Sequence, residues 1–252
     1  MKSKALFPLL ITLILLSNCN SKSETTLVQK IGKAHQKEVF LNKRALKMDV
    51  NITFNGKTRL NGELILQTNS SEGLLTLKDG NQIYFNQDKV YCSPEIENQN
   101  KVRFDAYTWS YFFLFPYKLS DEGTVWSKVE SVTMNEQAYN QQKLTFKNGT
   151  GDAPDDWYIV YSNPKTNLIR VAAYIVTAGK TKAEAEKNPH AISYENYTIF
   201  EEIPIATSWK FWEWNKTEGL TKQIGNATLS NIEFIQSEEQ LFKIPTDFIE
   251  IK

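Results

Sequence analysis

Leu46, Met48, Val50, Ile52 and Phe54 alternate with Lys47, Asp49, Asn51 and Thr53. A period of two buries one side only when the segment is a strand in a sheet with one covered face. Asn55-Gly56 follows, and these two residues accept the positive φ that a tight hairpin turn demands. The return strand runs through Leu60, Gly62, Leu64 and Leu66. Further strands are predicted at 73–77, 82–86 and 89–92, with Asp79-Gly80 and Gln87-Asp88 as turns. Others are predicted at 125–134, 139–146, 156–162, 168–177, 192–200, 205–214 and 227–235. This spacing favours an antiparallel meander over βαβ units.

Helical spacing breaks the pattern in a few places. Leu27, Val28, Ile31, Ala34 and His35 form one apolar stripe and predict a helix over 26–39. Residues 104–115 crowd aromatic side chains, with Asp105 in the first turn and Pro116 as a stop signal. A helix that is apolar nearly all round is buried on more than one side or contacts something greasy. Buried aromatics dominate ordinary cores, so a helix plugging the sheet is the simpler expectation. The alternative is a surface lining an apolar ligand, with Phe104, Tyr107, Tyr111, Phe112, Phe115, Trp209, Trp212 and Trp214 as candidates. In the strand 209–214, Trp209 and Phe211 point one way and Trp212 and Trp214 the other, so both faces need covering. Thr181 and Glu184 form a capping-box pattern for a short, charged and therefore solvated helix, closed by Asn188-Pro189.

The N-terminus reads as an address. Lys2 and Lys4 precede an apolar run from Ala5 to Leu16, then Ser17, Asn18 and Cys19, the layout of a secretory leader. That run is shorter than the roughly 20 residues that span a bilayer. Leu16-Ser17-Asn18-Cys19 resembles the lipobox of bacterial lipoprotein precursors, which implies that Cys19 is acylated and becomes the mature N-terminus. The expected division is a signal peptide at 1–18, lipidated Cys19 and a polar tether at 19–26, and a single half-barrel domain at 27–252. Loss of Lys2 and Lys4 leaves 27 basic against 29 acidic residues, a balance without the basic footprint of a nucleic-acid-binding protein. With Cys19 acylated, Cys92 has no partner within the chain.

The catalytic inventory is thin. His35 and His190 are the only histidines, neither lies in a paired metal-ligand motif, and structural roles are expected for both. Gly149-Thr150-Gly151-Asp152-Ala153-Pro154-Asp155-Asp156 groups three carboxylates, which makes Asp152, Asp155 and Asp156 the candidate metal ligands. The spacing is not that of an EF-hand, and Gly, Asp and Pro are ordinary turn formers, so a turn without metal is expected. No cofactor and no enzymatic activity are expected.

The segments Phe104-Asp105-Ala106-Tyr107-Thr108-Trp109-Ser110-Tyr111-Phe112-Phe113, Pro116-Tyr117-Lys118-Leu119 and Gly151-Asp152-Ala153-Pro154-Asp155-Asp156-Trp157-Tyr158 resemble a family of functionally uncharacterised bacterial lipoproteins. The order of helix, meander, inserted helix and meander is similar to the Lol-type lipoprotein carrier and receptor half-barrel. The resemblance implies a mainly β (α+β) fold, in which a strongly curved antiparallel sheet or half-open β-barrel wraps an N-terminal helix and inserted helices. The leader, the aromatic helix at 104–115 and Trp209, Trp212 and Trp214 predict a membrane-anchored, periplasm-facing protein, with the outer membrane preferred, that binds a lipid, acyl chain or other apolar ligand. The alternatives are a structural or protein-interaction lipoprotein without ligand and a hydrolytic or metal-dependent enzyme. Replacing Cys19 by Ser is expected to abolish incorporation of labelled palmitate and partitioning into detergent. A variant still cleaved to the same product and still membrane-bound would refute the anchor.

Overall fold

The computed structural model describes residues 25–236 and 239–251. Cys19, the leader and most of the tether lie outside them. Two short helices open the described chain, α1 (Leu27–Ala34) and α2 (Lys37–Leu41), followed by strands β1 (Ala45–Phe54), β2 (Lys57–Gln67), β3 (Glu72–Leu77), β4 (Gln82–Asn86) and β5 (Val90–Cys92). A long helix α3 (Val102–Lys118) leads into β6 (Thr124–Trp126), β7 (Glu130–Met134), β8 (Gln137–Phe146), β9 (Tyr158–Ser162) and β10 (Ile169–Tyr174). The chain continues with α4 (Lys182–Ala185), β11 (His190–Phe200), β12 (Ile203–Asn215), β13 (Gly219–Ile235) and β14 (Ile249–Ile251).

All the strands form one antiparallel sheet in the order β14-β5-β4-β3-β2-β1-β13-β12-β11-β10-β9-β8-β6, with β7 pairing β8 beside β6. The pairing closes β1 onto β13, so the N-terminal and C-terminal strands meet at the centre and the sheet's ends remain open. The curvature follows from the contacts of α3. Tyr107 packs edge-to-face on Phe85 of β4, and Tyr111, one turn later, meets Tyr158 of β9. In a flat sheet these strands, eight spacings of about 4.8 Å apart, would be separated by roughly 38 Å. A single helical turn can touch both only if the sheet curls around it. The predicted strongly curved antiparallel half-barrel is therefore what forms.

Three apolar clusters sort the side chains. The largest lies inside the curl and joins α1, α2 and α3 to alternate residues of the strands, among them Met48, Ile52, Leu64, Leu144, Val160, Ile192, Trp209 and Phe211. A second lies on the outer face, where Met134, Trp157, Tyr161, Val171, Ala173, Ala191 and Trp214 are covered by α4 through Ala185. The third, also outside, sets Ile65, Leu74 and Tyr84 against Phe242 of the C-terminal segment.

Several sequence expectations are corrected. The helix predicted over 26–39 is two helices. Gln36 adopts a left-handed conformation (φ 53°) and turns the chain, while His35 is driven inward to 1% exposure. Pro116 does not stop its helix. It lies inside α3, which runs on to Lys118, and it lacks the N–H that would bond the Phe112 carbonyl one turn back. The Tyr194 hydroxyl of β11 supplies that hydrogen bond instead, at 2.9 Å. The strand predicted over 125–134 divides into β6 and β7, because Ser127 accepts at its hydroxyl from Lys143 N–H and at its carbonyl from Gln142, which interrupts the ladder. The capping box at Thr181 and Glu184 is present, but α4 is not wholly solvated, since Ala185 is buried on the outer face. Asn55 and Gly56 both take positive φ, as the hairpin turn requires.

Tyr194→Phe deletes the bond that replaces the missing proline donor and leaves the Phe112 carbonyl unpaired in an apolar setting. Such a loss costs about 1–3 kcal/mol. Urea unfolding is expected to show a lower midpoint with unchanged slope, and an unchanged midpoint would show that this bond does not hold the helix.

Candidate functional site

The space between α3 and the inner face of the sheet is the candidate site. Ten of the helix's residues are buried, including Trp109, Phe112, Phe113, Phe115 and Tyr117. Phe112 packs on Tyr174 and Phe115 on Tyr158, each with ring centroids 5.0 Å apart. Trp109 meets Phe211, which itself lies 4.8 Å from Phe54. At the other end of α3, Tyr117 stacks on Phe40 at 3.6 Å. The tilted and edge-on arrangements add to the stabilisation that the rings' buried area provides.

A small number of polar contacts fasten α3 to the sheet. Arg59 of β2 forks onto Asp105 with hydrogen bonds of 2.6 and 3.0 Å, and the Trp109 indole N–H donates to the same carboxylate. Burial pushes the Asp105 carboxyl up from its ordinary range, while the Arg59 guanidinium opposes that rise. Arg103 pairs with Asp152 across the loop before β9, and the Tyr107 hydroxyl donates to the Asn86 carbonyl.

Beside α3, His35, Phe113, Tyr117, Tyr194, Tyr197 and Trp209 line a crevice of about 10 Å³, about the least that admits one water. Ligand pockets run to about 300–1,000 Å³, so the rings here meet one another. His35 accepts the Ile169 N–H at Nε2 (3.1 Å), and the Tyr197 hydroxyl donates to the Ile169 carbonyl (2.6 Å). Together they satisfy both backbone groups of Ile169 at the irregularity where β10 shifts register against β9. This bonding gives His35 the structural role expected for it.

The eight candidate lining residues do not all come together. Phe104, Tyr107, Tyr111, Phe112, Phe115 and Trp209 belong to the inner cluster. Trp212 and Trp214 face outward, into the cluster under α4, and are separated from α3 by the sheet. The Trp212 N–H donates to Ser193, and Trp214 packs edge-on to Trp157. Inner-face residues that sequence reasoning did not single out include Tyr158, Tyr174, Tyr194 and Phe211. The alternation Tyr158, Val160, Ser162 carried that signal for β9, as did Ile192, Tyr194 for β11.

The three aspartates have separate partners or none. Asp152 is held by Arg103, Asp156 accepts from the backbone and hydroxyl of Thr177, and Asp155 is exposed. Burial raises the Asp156 carboxyl. His190 begins β11, half-buried beside Tyr174, with its pKa lowered by burial against the pull of Glu213. Among the described residues no three His, Cys, Asp or Glu side chains are grouped to hold a metal ion. Cys92 is buried and unpaired, and burial raises its thiol pKa.

A curled, open antiparallel sheet around a central helix defines the architectural class. Its fold is similar to that of a LolA superfamily protein from Nitrosomonas europaea, at 10% identity and TM-score 0.57, over 86% of this chain and 97% of that one. A DUF1329 family protein from Desulfovibrio piger matches at 12% identity and TM-score 0.55, over 85% and 95%. A domain named for outer membrane lipoprotein sorting, from Vibrio parahaemolyticus, matches at 11% and 0.53, over 86% and 97%. The fold is thus of the LolA type. Residues 4–226 match DUF6503, a family of unknown function, and the chain belongs to that family. No curated protein matches it.

Burial lowers the His35 pKa to about 3 from 6.5, so the folded protein holds the imidazole neutral while the unfolded chain protonates it. That contribution is whole above pH 6.5 and is lost as pH falls from 6.5 towards 3, at about 1.4 kcal/mol per pH unit. Stability is expected to fall between pH 7 and pH 5, with a slope in His35→Gln that becomes smaller by close to one proton as the pH drops below 6.5, while His190, also lowered by burial, keeps its share in both proteins. Equal slopes in both proteins would contradict a neutral buried His35.

Proposed function

We propose that the chain is an envelope lipoprotein, anchored through Cys19, whose half-barrel binds an acyl chain or similar apolar ligand between α3 and the inner face of the sheet. The observation that carries this reading is the construction of the cover. An open sheet lined with aromatics is capped by a helix whose contacts are mostly ring against ring, with the Arg59–Asp105 fork, Tyr107–Asn86 and Tyr194–Phe112 among its polar fastenings. A ligand could replace ring–ring contacts without stranding many polar groups. The names of two similar folds, LolA superfamily and outer membrane lipoprotein sorting, support an envelope setting. On this reading the lining is Phe104, Tyr107, Tyr111, Phe112, Phe115 and Trp209, without Trp212 or Trp214.

The water-sized crevice favours a second reading, in which the aromatics simply fill the core of a structural or interaction lipoprotein. Native mass spectrometry of the mature protein separates the two. The carrier reading expects a bound lipid. It also expects delipidated protein to take up a fluorescent fatty-acid analogue, several-fold faster in Arg59→Met because the fork to Asp105 is gone. A folded protein with no bound species and no uptake would leave the filled-core reading.

A further inference from the structure

We propose that the end of the molecule formed by α1, α2 and the β11–β12 turn docks on an anionic phospholipid bilayer. The inference rests on the reading of Cys19 as the anchor in one respect, the reach of the tether. From Cys19 to Thr26, the N-cap of α1, there are seven residues, which can span at most about 25 Å however they are arranged. The start of α1 is therefore never far from the headgroups.

Charge complementarity names the occupant. Residues 27–44 contain Lys30, Lys33, Lys37, Lys43 and Arg44 against Glu38 alone, whereas 45–252 contain 21 basic and 27 acidic residues. The positive segment thus lies next to the anchor in a chain that is otherwise acidic. Lys37 is engaged by Asp121 and Lys43 by Glu201, and Glu38 and Glu202 are the exposed acids of this end without a basic partner among the described residues. Lys30, Lys33 and Arg44 are exposed and have no acidic partner among the described residues. On α1 the buried stripe is Leu27, Ile31 and His35, which leaves Lys33 and Gln29 on the opposite face. Lysine and arginine next to a membrane anchor are attracted by anionic lipid.

Exposed apolar side chains lie at the same end. Leu41 is 41% exposed and Ile199 63%. The Lys43–Glu201 pair joins their two segments, since Leu41 lies two residues before Lys43 and Ile199 two before Glu201. The crevice lined by His35, Tyr117, Tyr197 and Pro204 belongs to this end too, so docking would present it to the bilayer. Basic residues around exposed leucine and isoleucine are the composition of an interfacial contact.

The test uses the mature acylated chain in vesicles of phosphatidylcholine with or without phosphatidylglycerol. Leu41→Cys, Ile199→Cys and, at the opposite end of β1, Lys57→Cys are labelled with an environment-sensitive dye, Cys92 being buried. Headgroup-nitroxide quenching at positions 41 and 199 but not 57, dependent on phosphatidylglycerol and lost when Lys30, Lys33 and Arg44 are changed to Glu, is the expected result. Equal quenching at position 57, or no dependence on phosphatidylglycerol in a palmitate-labelled protein, overturns the docking surface. A chain without palmitate refutes the anchor reading only. Sedimentation of that unacylated chain with phosphatidylglycerol vesicles, abolished by the three Glu substitutions, then still supports docking, and no sedimentation overturns it.

Discussion

A sheet of this width with one long helix to cover it buries its inner face by curling around that helix, and α3 is the helix. The constraint is visible where Tyr107 and Tyr111, one turn apart, touch strands at nearly opposite reaches of the sheet. Every other element follows from it. Strands β1 and β13 must pair at the centre to make one continuous surface, α1 and α2 must close the end that α3 leaves uncovered, and the outer face must find separate covers. Those covers are α4 over Trp157 and Trp214, and the C-terminal segment over Tyr84.

The inner layer is apolar, but its geometry is fixed by polar groups that stand in for missing backbone partners. Tyr194 gives Phe112 the hydrogen bond that Pro116 cannot. His35 and Tyr197 between them satisfy Ile169 where the β9–β10 ladder slips. An unpaired backbone group in such a place costs about 1–3 kcal/mol, comparable with the burial of a whole aliphatic side chain. One phenol or imidazole at the right place is therefore worth as much as a much larger apolar contact, and it fixes position as well.

The alternation from Leu46 to Phe54 and the Asn55-Gly56 turn made the sheet legible, because a period of two and a positive φ have few other uses. The aromatic run likewise marked α3 as the buried helix. The break at Gln36 could not be read in this way, since it depends on His35 being drawn to a backbone amide 134 residues away. Nor could the survival of α3 past Pro116, which depends on Tyr194. Strand β14 was missed because it is three residues long and gains its place only by pairing β5. Within the candidate site, the helical residues and Trp209 were legible from pattern. Phe211 and the tyrosines of β9, β10 and β11 were not singled out because an aromatic in a strand looks the same whether it meets a helix, another sheet or a ligand.

A filled core and an apolar binding role are compatible in energetic terms. Parting α3 from the sheet exposes rings, but an acyl chain laid between them covers the same surface, so the apolar burial is exchanged rather than lost. What is not exchanged is the polar fastening, chiefly the less exposed part of it: the fork from Arg59 to Asp105, the Tyr107–Asn86 bond and the Tyr194–Phe112 bond. At about 1 kcal/mol net for an ordinary hydrogen bond and about 1.5–3 kcal/mol for charged ones, breaking them all costs on the order of 5–8 kcal/mol. A buried methylene contributes about 0.8 kcal/mol, so roughly six to ten methylenes would offset it. On the proposed function, an opening of this kind would favour long acyl chains over short ones, with the threshold set by the few polar bonds that hold the helix.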